Sequence, residues 1–299
     1  MIKKIVVFGN PEIAANIFSE INFPQVKIVA AVCSPDKKIG RGQKINFCPV
    51  KIWAKQKNIP VFQPQIIDQN FAAKLKNLGA EIGMVIAFGK IFSSQFLENF
   101  SLFNLHFSLL PKFRGASPVQ SAILAGEKIS GVSLFKIISK LDAGDVFSQK
   151  KIEISNKFAS EIFMEMKNIS IQILQDFLQK FSNNQKIEIF PQIGQPTFCQ
   201  KISKKDGEII PEKISAEIFL RKIRAFQPWP GIFLNFKNKK IKIFQTKIAK
   251  ISILPGEKKF IEKKFLIGCC DKTLEILQLQ VPGKKIISGA DFFCQNFKK

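Results

Sequence analysis

The sequence predicts an α/β protein in which a mostly parallel sheet with helices on both faces precedes a small β-barrel. Three observations predict it. Up to residue 181, short apolar runs alternate with amphipathic stretches, the pattern of parallel strands joined by crossover helices. Past residue 200, closely spaced strand-like runs are broken by Asn, Gly, Lys and Pro, which suits a small barrel. The chain also has 299 residues, and single cores stop growing near ~250–300 residues, so two domains are expected.

The elements follow in order. Ile5-Val6-Val7-Phe8 sits in a strand pattern at 2–8, and further apolar β-rich runs fall near 26–33, 81–87, 101–106, 131–138 and 145–152. Helical periodicity fits 11–20, 50–57, 68–78 and 116–126, with a longer helix at 158–181. Residues 183–200 are polar and carry Pro191, Gly194 and Pro196 with little periodicity, so they read as a linker. A helix is expected at 214–225 with Ser215 as its cap, and strands at 231–236, 240–248, 260–267 and 274–280. The expected boundaries are therefore a domain at 1–182, a linker at 183–203 and a C-terminal domain at 204–299.

Composition narrows the class. Mean hydropathy is +0.07 with 46% hydrophobic residues, which fits a globular chain, and no apolar run approaches the ~18 residues of a membrane span. The strand pattern starts at once, without a charged-then-apolar leader, so a cytoplasmic protein is expected. Cys33, Cys48, Cys199, Cys269, Cys270 and Cys294 lack metal-ligand spacing and read as free thiols. The net charge of +23 points to a polyanionic partner, although lysine-rich, AT-biased coding raises the same number. From residue 200 onward there are about 22 basic and 9 acidic residues, roughly +13 in a third of the chain. Tyrosine is absent beside 31 phenylalanines, a usage for which there is no physical account.

The chemistry concentrates in two segments. In Asn104-Leu105-His106-Phe107-Ser108-Leu109-Leu110-Pro111, Asn104 and His106 stand two apart at a strand end, so both side chains face one way. An amide beside an imidazole can bind and polarise one carbonyl oxygen, and His106 is the only histidine in the chain. The second segment, Leu141-Asp142-Ala143-Gly144-Asp145, joins two strand patterns. Asp142 and Asp145 are both candidates to act as acid/base or to orient the histidine, although Asp and Gly are also ordinary turn residues.

Together these segments resemble the formyltransferase family that uses 10-formyltetrahydrofolate, and the resemblance runs along nearly the whole chain. Gly9-Asn10-Pro11-Glu12 is similar to the family's opening loop, and Ser34-Pro35-Asp36 with Gly40-Arg41-Gly42-Gln43-Lys44 to a long loop of its tRNA-modifying members. Ile59 to Pro64, Ala87-Phe88-Gly89 and Ile223 to Gly231 follow in the family's order. Asn10 stands where threonine is common and Phe88 where tyrosine is usual, and Phe107 replaces a small residue.

The resemblance implies a Rossmann-like formyltransferase domain, a linker and a barrel of the oligonucleotide-binding (OB) type. It implies Asn104, His106 and Asp142 as catalytic residues. Ser108, Leu109, Leu110, Pro111, Phe88 and Gly89 would hold 10-formyltetrahydrofolate as co-substrate, with no metal required. The acceptor would be the α-amine of methionyl initiator tRNA, with Lys37, Lys38, Arg41 and Lys44 on its phosphates, and the protein a monomer. An Asp142 carboxylate within ~4–6 Å would raise the titration of His106 above its ordinary ~6.5. Two other readings stand beside this one: formyl transfer to an amino sugar nucleotide, and a tRNA-binding protein with a vestigial active site.

Overall fold

A computed structural model describes residues 1–39, 44–237 and 239–297. The chain forms two compact units, one of Met1–Pro118, Ile129–Glu153 and Phe163–Gln200, the other of Val119–Lys128, Ile154–Ile162 and Lys201–Lys299.

The first unit opens with β1 (Lys3–Gly9), α1 (Glu12–Ser19) and β2 (Val26–Val32), then a short hairpin of β3 (Lys37–Ile39) and β4 (Lys44–Asn46). α2 (Pro49–Gln56), β5 (Val61–Phe62), α3 (Gln69–Asn77), β6 (Ile82–Ile86), α4 (Ser94–Asn99) and β7 (Leu102–His106) follow. After them come β8 (Arg114–Gly115), α5 (Pro118–Ala125), β9 (Ile129–Lys136), β10 (Val146–Glu153), α6 (Ala159–Ser182) and β11 (Phe198–Cys199). Most of α5 and the first residues of α6 are assigned to the second unit.

Seven strands form the main sheet in the order β10-β9-β7-β6-β1-β2-β5. The five from β7 to β5 run parallel, and β9 and β10 add antiparallel strands at one edge. Every residue of β6 is buried, as expected of a parallel strand covered on both faces. The edge strand β10 is largely open to solvent. Phe8 anchors one side of the core, edge-on to Phe88 and Phe92 with ring centroids 5.5 Å away in each case. Aromatic pairs of this geometry add about 0.5–1.5 kcal/mol beyond their area.

Helix starts follow the local chemistry. The Asp68 carboxylate accepts from Phe71 N at 3.0 Å to cap α3, and the Ser93 hydroxyl accepts from Phe96 N at 3.2 Å to cap α4. Each cap satisfies an amide that the helix itself leaves open. α2 starts with Pro49 behind Cys48, whose sulfur accepts from Lys51 N, and proline at the first helical position loses no bond.

The second unit holds α7 (Ala216–Phe226), β12 (Ile232–Phe236), β13 (Lys239–Ile248), β14 (Lys258–Ile261), β15 (Lys264–Gly268), β16 (Thr273–Gln280), β17 (Ile286–Ser288) and α8 (Gly289–Phe297). Ser215 caps α7 as expected, accepting from Ile218 N at 3.2 Å. The strands pair antiparallel in the order β12-β13-β16-β15-β14, with β17 added to β16. This half-barrel is the barrel-type domain the sequence predicted. Its core includes Phe265, fully buried and packed on Phe236, Phe260 and Phe292.

Three expectations need correction. The run at 260–267 is two strands rather than one, because Glu262 and Lys263 take positive φ and turn the chain back. The helices α4 and α8, the short strands β5 and β17, and the short pairs β3–β4 and β8–β11 were not expected. Residues 183–200, expected as linker, belong to the first unit, where Phe190 pairs with Val146 and Phe198 with Arg114. Among the described residues no helix is long and apolar enough to cross a membrane.

Candidate active site

The site lies where the parallel strands end, the usual ligand position in sheets of this kind. β7 carries Asn104 and His106 on one face: Asn104 is half-buried and His106 only 5% exposed. On the neighbouring β9 they pair in register with Phe135 and Ser133. The chain then turns through Ser108–Pro111. The Ser108 hydroxyl donates to Lys112 O at 2.6 Å, so it serves the turn itself.

That turn is pinned from the sheet. The hydroxyl of the fully buried Ser133 donates to Ser108 O at 2.6 Å and accepts from Leu110 N at 3.1 Å. Gln149 on β10 donates to Leu110 O and to the same hydroxyl, both at 2.8 Å. Neither residue was a sequence candidate. A hydroxyl among apolar neighbours in Gly131-Val132-Ser133-Leu134-Phe135 was the only available signal.

Of the two acidic candidates, Asp142 stands beside the histidine. Its Oδ2 is 3.8 Å from His106 Nδ1, an ion-pair distance but too long for a hydrogen bond. The same oxygen accepts from Gly115 N at 2.8 Å. Asp145 is exposed, and its carbonyl accepts from Lys136 N. Asp142 takes φ +44, a left-handed conformation that aspartate tolerates in turns better than most residues with a Cβ. Gly144 is required by space, since a Cβ there would overlap the Lys136 carbonyl oxygen.

His106 Nε2 lies 2.8 Å from Phe113 O. A carbonyl only accepts, so Nε2 carries the proton and Nδ1 is the open nitrogen, facing Asp142. The expected upward titration is overturned. Burial lowers the imidazole below its ordinary value, outweighing the pull of Asp142 and of the Phe113 carbonyl in the other direction. Desolvation disfavours the charged ring, and Asp142 is too far away to offset it.

At the end of β6, Phe88 is buried within the phenylalanine core, whereas Gly89 is exposed, with φ +74 and open space where a side chain would be. Asn10 ties three strand ends together. Its amide donates to Phe88 O, and its oxygen accepts from Ser34 N at 2.8 Å. The base of the following loop is clamped by the ammonium of Lys51, which pairs with Asp36 and donates to Gln63 Oε1 at 2.8 Å. Gln63 donates to Ser34 O and to Asp36. Hydrogen bonds from Lys51 and Gln63 hold the Asp36 carboxyl below its usual range. Lys37, Lys38 and Lys44 lie on the β3–β4 hairpin carried by this clamp, and Arg41 lies outside the described residues.

The supposed linker also reaches the site. Thr197 accepts from Phe113 N through its hydroxyl and from Arg114 N through its carbonyl, both at 2.8 Å. Gln192 contacts Arg114 and the Asp142 turn. A two-residue strand has no alternation to read, so these contacts left no periodic signal.

The sheet thus brings an amide and an imidazole at the end of β7 together with a carboxylate from the β9–β10 turn. The match to family models is direct. Residues 3–168 match the formyl transferase model and residues 201–296 that of its C-terminal domain, and the chain belongs to this family. It is 36% identical over 296 residues to the methionyl-tRNA formyltransferase of Kosmotoga olearia, covering 95% of this chain and 94% of that one. The methionyl-tRNA formyltransferase of Thermosipho melanesiensis is 34% identical over 289 residues, covering 94% and 93%. Among solved structures, methionyl-tRNA formyltransferase from Clostridium thermocellum superposes with a TM-score of 0.58 at 18% identity, covering 96% of this chain and 100% of that one, a likeness of fold.

Proposed function

We propose that this chain transfers the formyl group of 10-formyltetrahydrofolate to the α-amino group of methionyl initiator tRNA. The observation that carries the reading is the pairing of buried His106 with Asp142 beside Asn104. Near-full-length similarity to methionyl-tRNA formyltransferases supports the choice of acceptor.

The open space at Gly89 and the apolar turn Leu109-Leu110-Pro111 suit a flat heterocycle at the ends of β6 and β7. Bound there, the folate supplies a formyl carbon open to attack by an amine. Asn104 donates its amide N–H to the formyl oxygen as negative charge gathers on it, the kind of preorganised donor that lowers acyl-transfer barriers. His106 enters the reaction neutral, with Nδ1 open, and takes up the proton of the attacking amine. The ring then becomes positive beside Asp142, whose attraction now offsets part of the cost of burial, and it returns the proton to the folate nitrogen as the formyl C–N bond breaks and tetrahydrofolate leaves. Gly115 N holds the carboxylate in place for this step.

Acceptor binding draws on two surfaces. Lys37, Lys38, Arg41 and Lys44 of the clamped loop contact phosphates, which position the substrate without reading its sequence. In the second unit, Phe233, Lys240, Lys242 and Lys284 line a cleft, with Lys240 Nζ 4.0 Å from the Phe233 ring centroid, a composition suited to a polyanion.

The test is a formylation assay offering methionyl initiator tRNA, free methionine and nucleotide-sugar amines. Transfer to the tRNA is expected, with His106→Ala and Asp142→Ala each losing it by about 100-fold or more while tRNA binding persists. Wild-type turnover in either variant, or transfer to a sugar amine alone, overturns the reading.

A further inference from the structure

We infer that Gln192 is a positioning residue for Asp142, acting from a segment with no apparent chemistry of its own. The inference rests on the catalytic role proposed for Asp142.

The Gln192 amide has its hydrogen-bonding capacity filled. Nε2 donates to Asp142 O at 2.9 Å and to Gly144 O at 2.8 Å. Oε1 accepts from Arg114 Nε at 3.2 Å and Nη2 at 2.7 Å. Two donors and two acceptor sites are all an amide has. The opposite orientation would set its NH2 against a guanidinium and its oxygen against two carbonyls, so the chemistry allows only one.

These four bonds close a ring. Arg114 is 7% exposed, and the next amide, Gly115 N, is the donor that holds Asp142 Oδ2. Gln192 therefore grips the backbone of the Asp142 turn directly and, through Arg114, braces the segment that orients the carboxylate. Asp142 takes a left-handed φ, less readily adopted by a residue with a Cβ than by glycine, and the two bonds from Gln192 hold its turn in that shape. Near His106, Asp142 comes from the β9–β10 turn, Phe113 O from the loop after β7, and the Phe135 ring from β9. Among these Asp142 alone is charged, so its displacement is readable at the imidazole.

The test uses two variants of the full chain and the fact that His106 is the only histidine. Gln192→Glu keeps an oxygen for Arg114 but turns a second oxygen toward the two carbonyls. Gln192→Met removes both ends of the bridge. The imidazole C2 proton is titrated by NMR, and kcat and KM for formyl transfer are measured on protein shown to be folded by circular dichroism. Gln192→Met, which adds no charge, is expected to move the imidazole midpoint downward, toward that of Asp142→Asn; in Gln192→Glu the added carboxylate opposes that shift, so kcat is its readout. Both variants should lower kcat by about 10- to 100-fold, the order a displacement near 1 Å can cause, with KM changed less than about threefold. A folded Gln192→Met with wild-type midpoint and wild-type kcat overturns the inference. If Asp142→Asn itself turns over at the wild-type rate, the catalytic reading fails, whereas a shifted midpoint in Gln192→Met still supports the positioning.

Discussion

The Asp142 turn of the first unit and the β12–β13 pair of the second use polar residues in opposite ways. Around Asp142, side chains are spent on backbone: Gln192 on two carbonyls, and the carboxylate itself on an amide. Along β13, Lys240 and Lys242 point outward between buried Ile241 and Ile243, and Lys240 lies over a phenyl ring. The first arrangement holds one carboxylate through directional hydrogen bonds to its turn and to its oxygen. The second presents charge over an area without fixing any atom, which is sufficient for a phosphate backbone and useless for chemistry.

If this contrast is correct, the same substitution should have very different effects in the two places. Gly144→Ala drives a Cβ into the Lys136 carbonyl, so the turn must shift, and formyl transfer is expected to fall by about 100-fold or more with a lower melting temperature. Gly283→Ala meets no atom within 4 Å and is disfavoured only by its φ of +76, a cost of about 1–2 kcal/mol. It should leave kcat unchanged. Equal losses of activity in the two variants would end the comparison.

The next largest effect belongs to the charged surface. The double variant Lys240→Gln with Lys242→Gln is expected to weaken tRNA binding several-fold at low salt. If both lysines meet phosphates, the slope of log affinity against log salt should fall by up to about 2. The kcat at saturating tRNA should stay at the wild-type value. An unchanged slope removes β13 from the interface.

The smallest effect is on stability, and it sharpens the other side of the comparison. His106 is held below its ordinary value in the folded chain, so above about pH 6.5 the ring is neutral in both states and adds no pH dependence. As pH falls below that, the unfolded chain binds a proton that the folded chain resists. Stability then drops by at most about 1.4 kcal/mol per pH unit from this group. Urea denaturation between pH 7.5 and pH 5 checks this. His106→Gln should flatten the decline, and a stability that rises on acidification would contradict burial as the dominant cause.

Much of the fold was legible because it rests on periodicity. Short apolar runs marked β1, β2, β6 and β7, and Ser215 marked the start of α7 by its capping chemistry. The face shared by Asn104 and His106 followed from a two-residue spacing. What was illegible depends on contacts distant in sequence. Ser133 and Gln192 acquire their partners 25 and 50 residues away, and nothing local distinguishes them from a strand serine and a loop glutamine. The direction of the His106 shift was misjudged for a related reason: spacing can suggest that a carboxylate lies nearby, but not how completely the ring is buried.

The hydrogen bond between His106 and Phe113 also limits how the imidazole can move a proton. An amide carbonyl is too weak a base to accept the Nε2 proton, so that nitrogen is closed to traffic. A proton that enters the ring at Nδ1 must leave from Nδ1. The ring is therefore a store rather than a wire: it can lend a charge to the reacting centre and take it back, but it cannot conduct a proton from one side of the site to the other. In the proposed transfer, the nitrogen that gives up the proton and the one that receives it must therefore come in turn to the same edge of one ring, and the Asp142 turn stands at that edge.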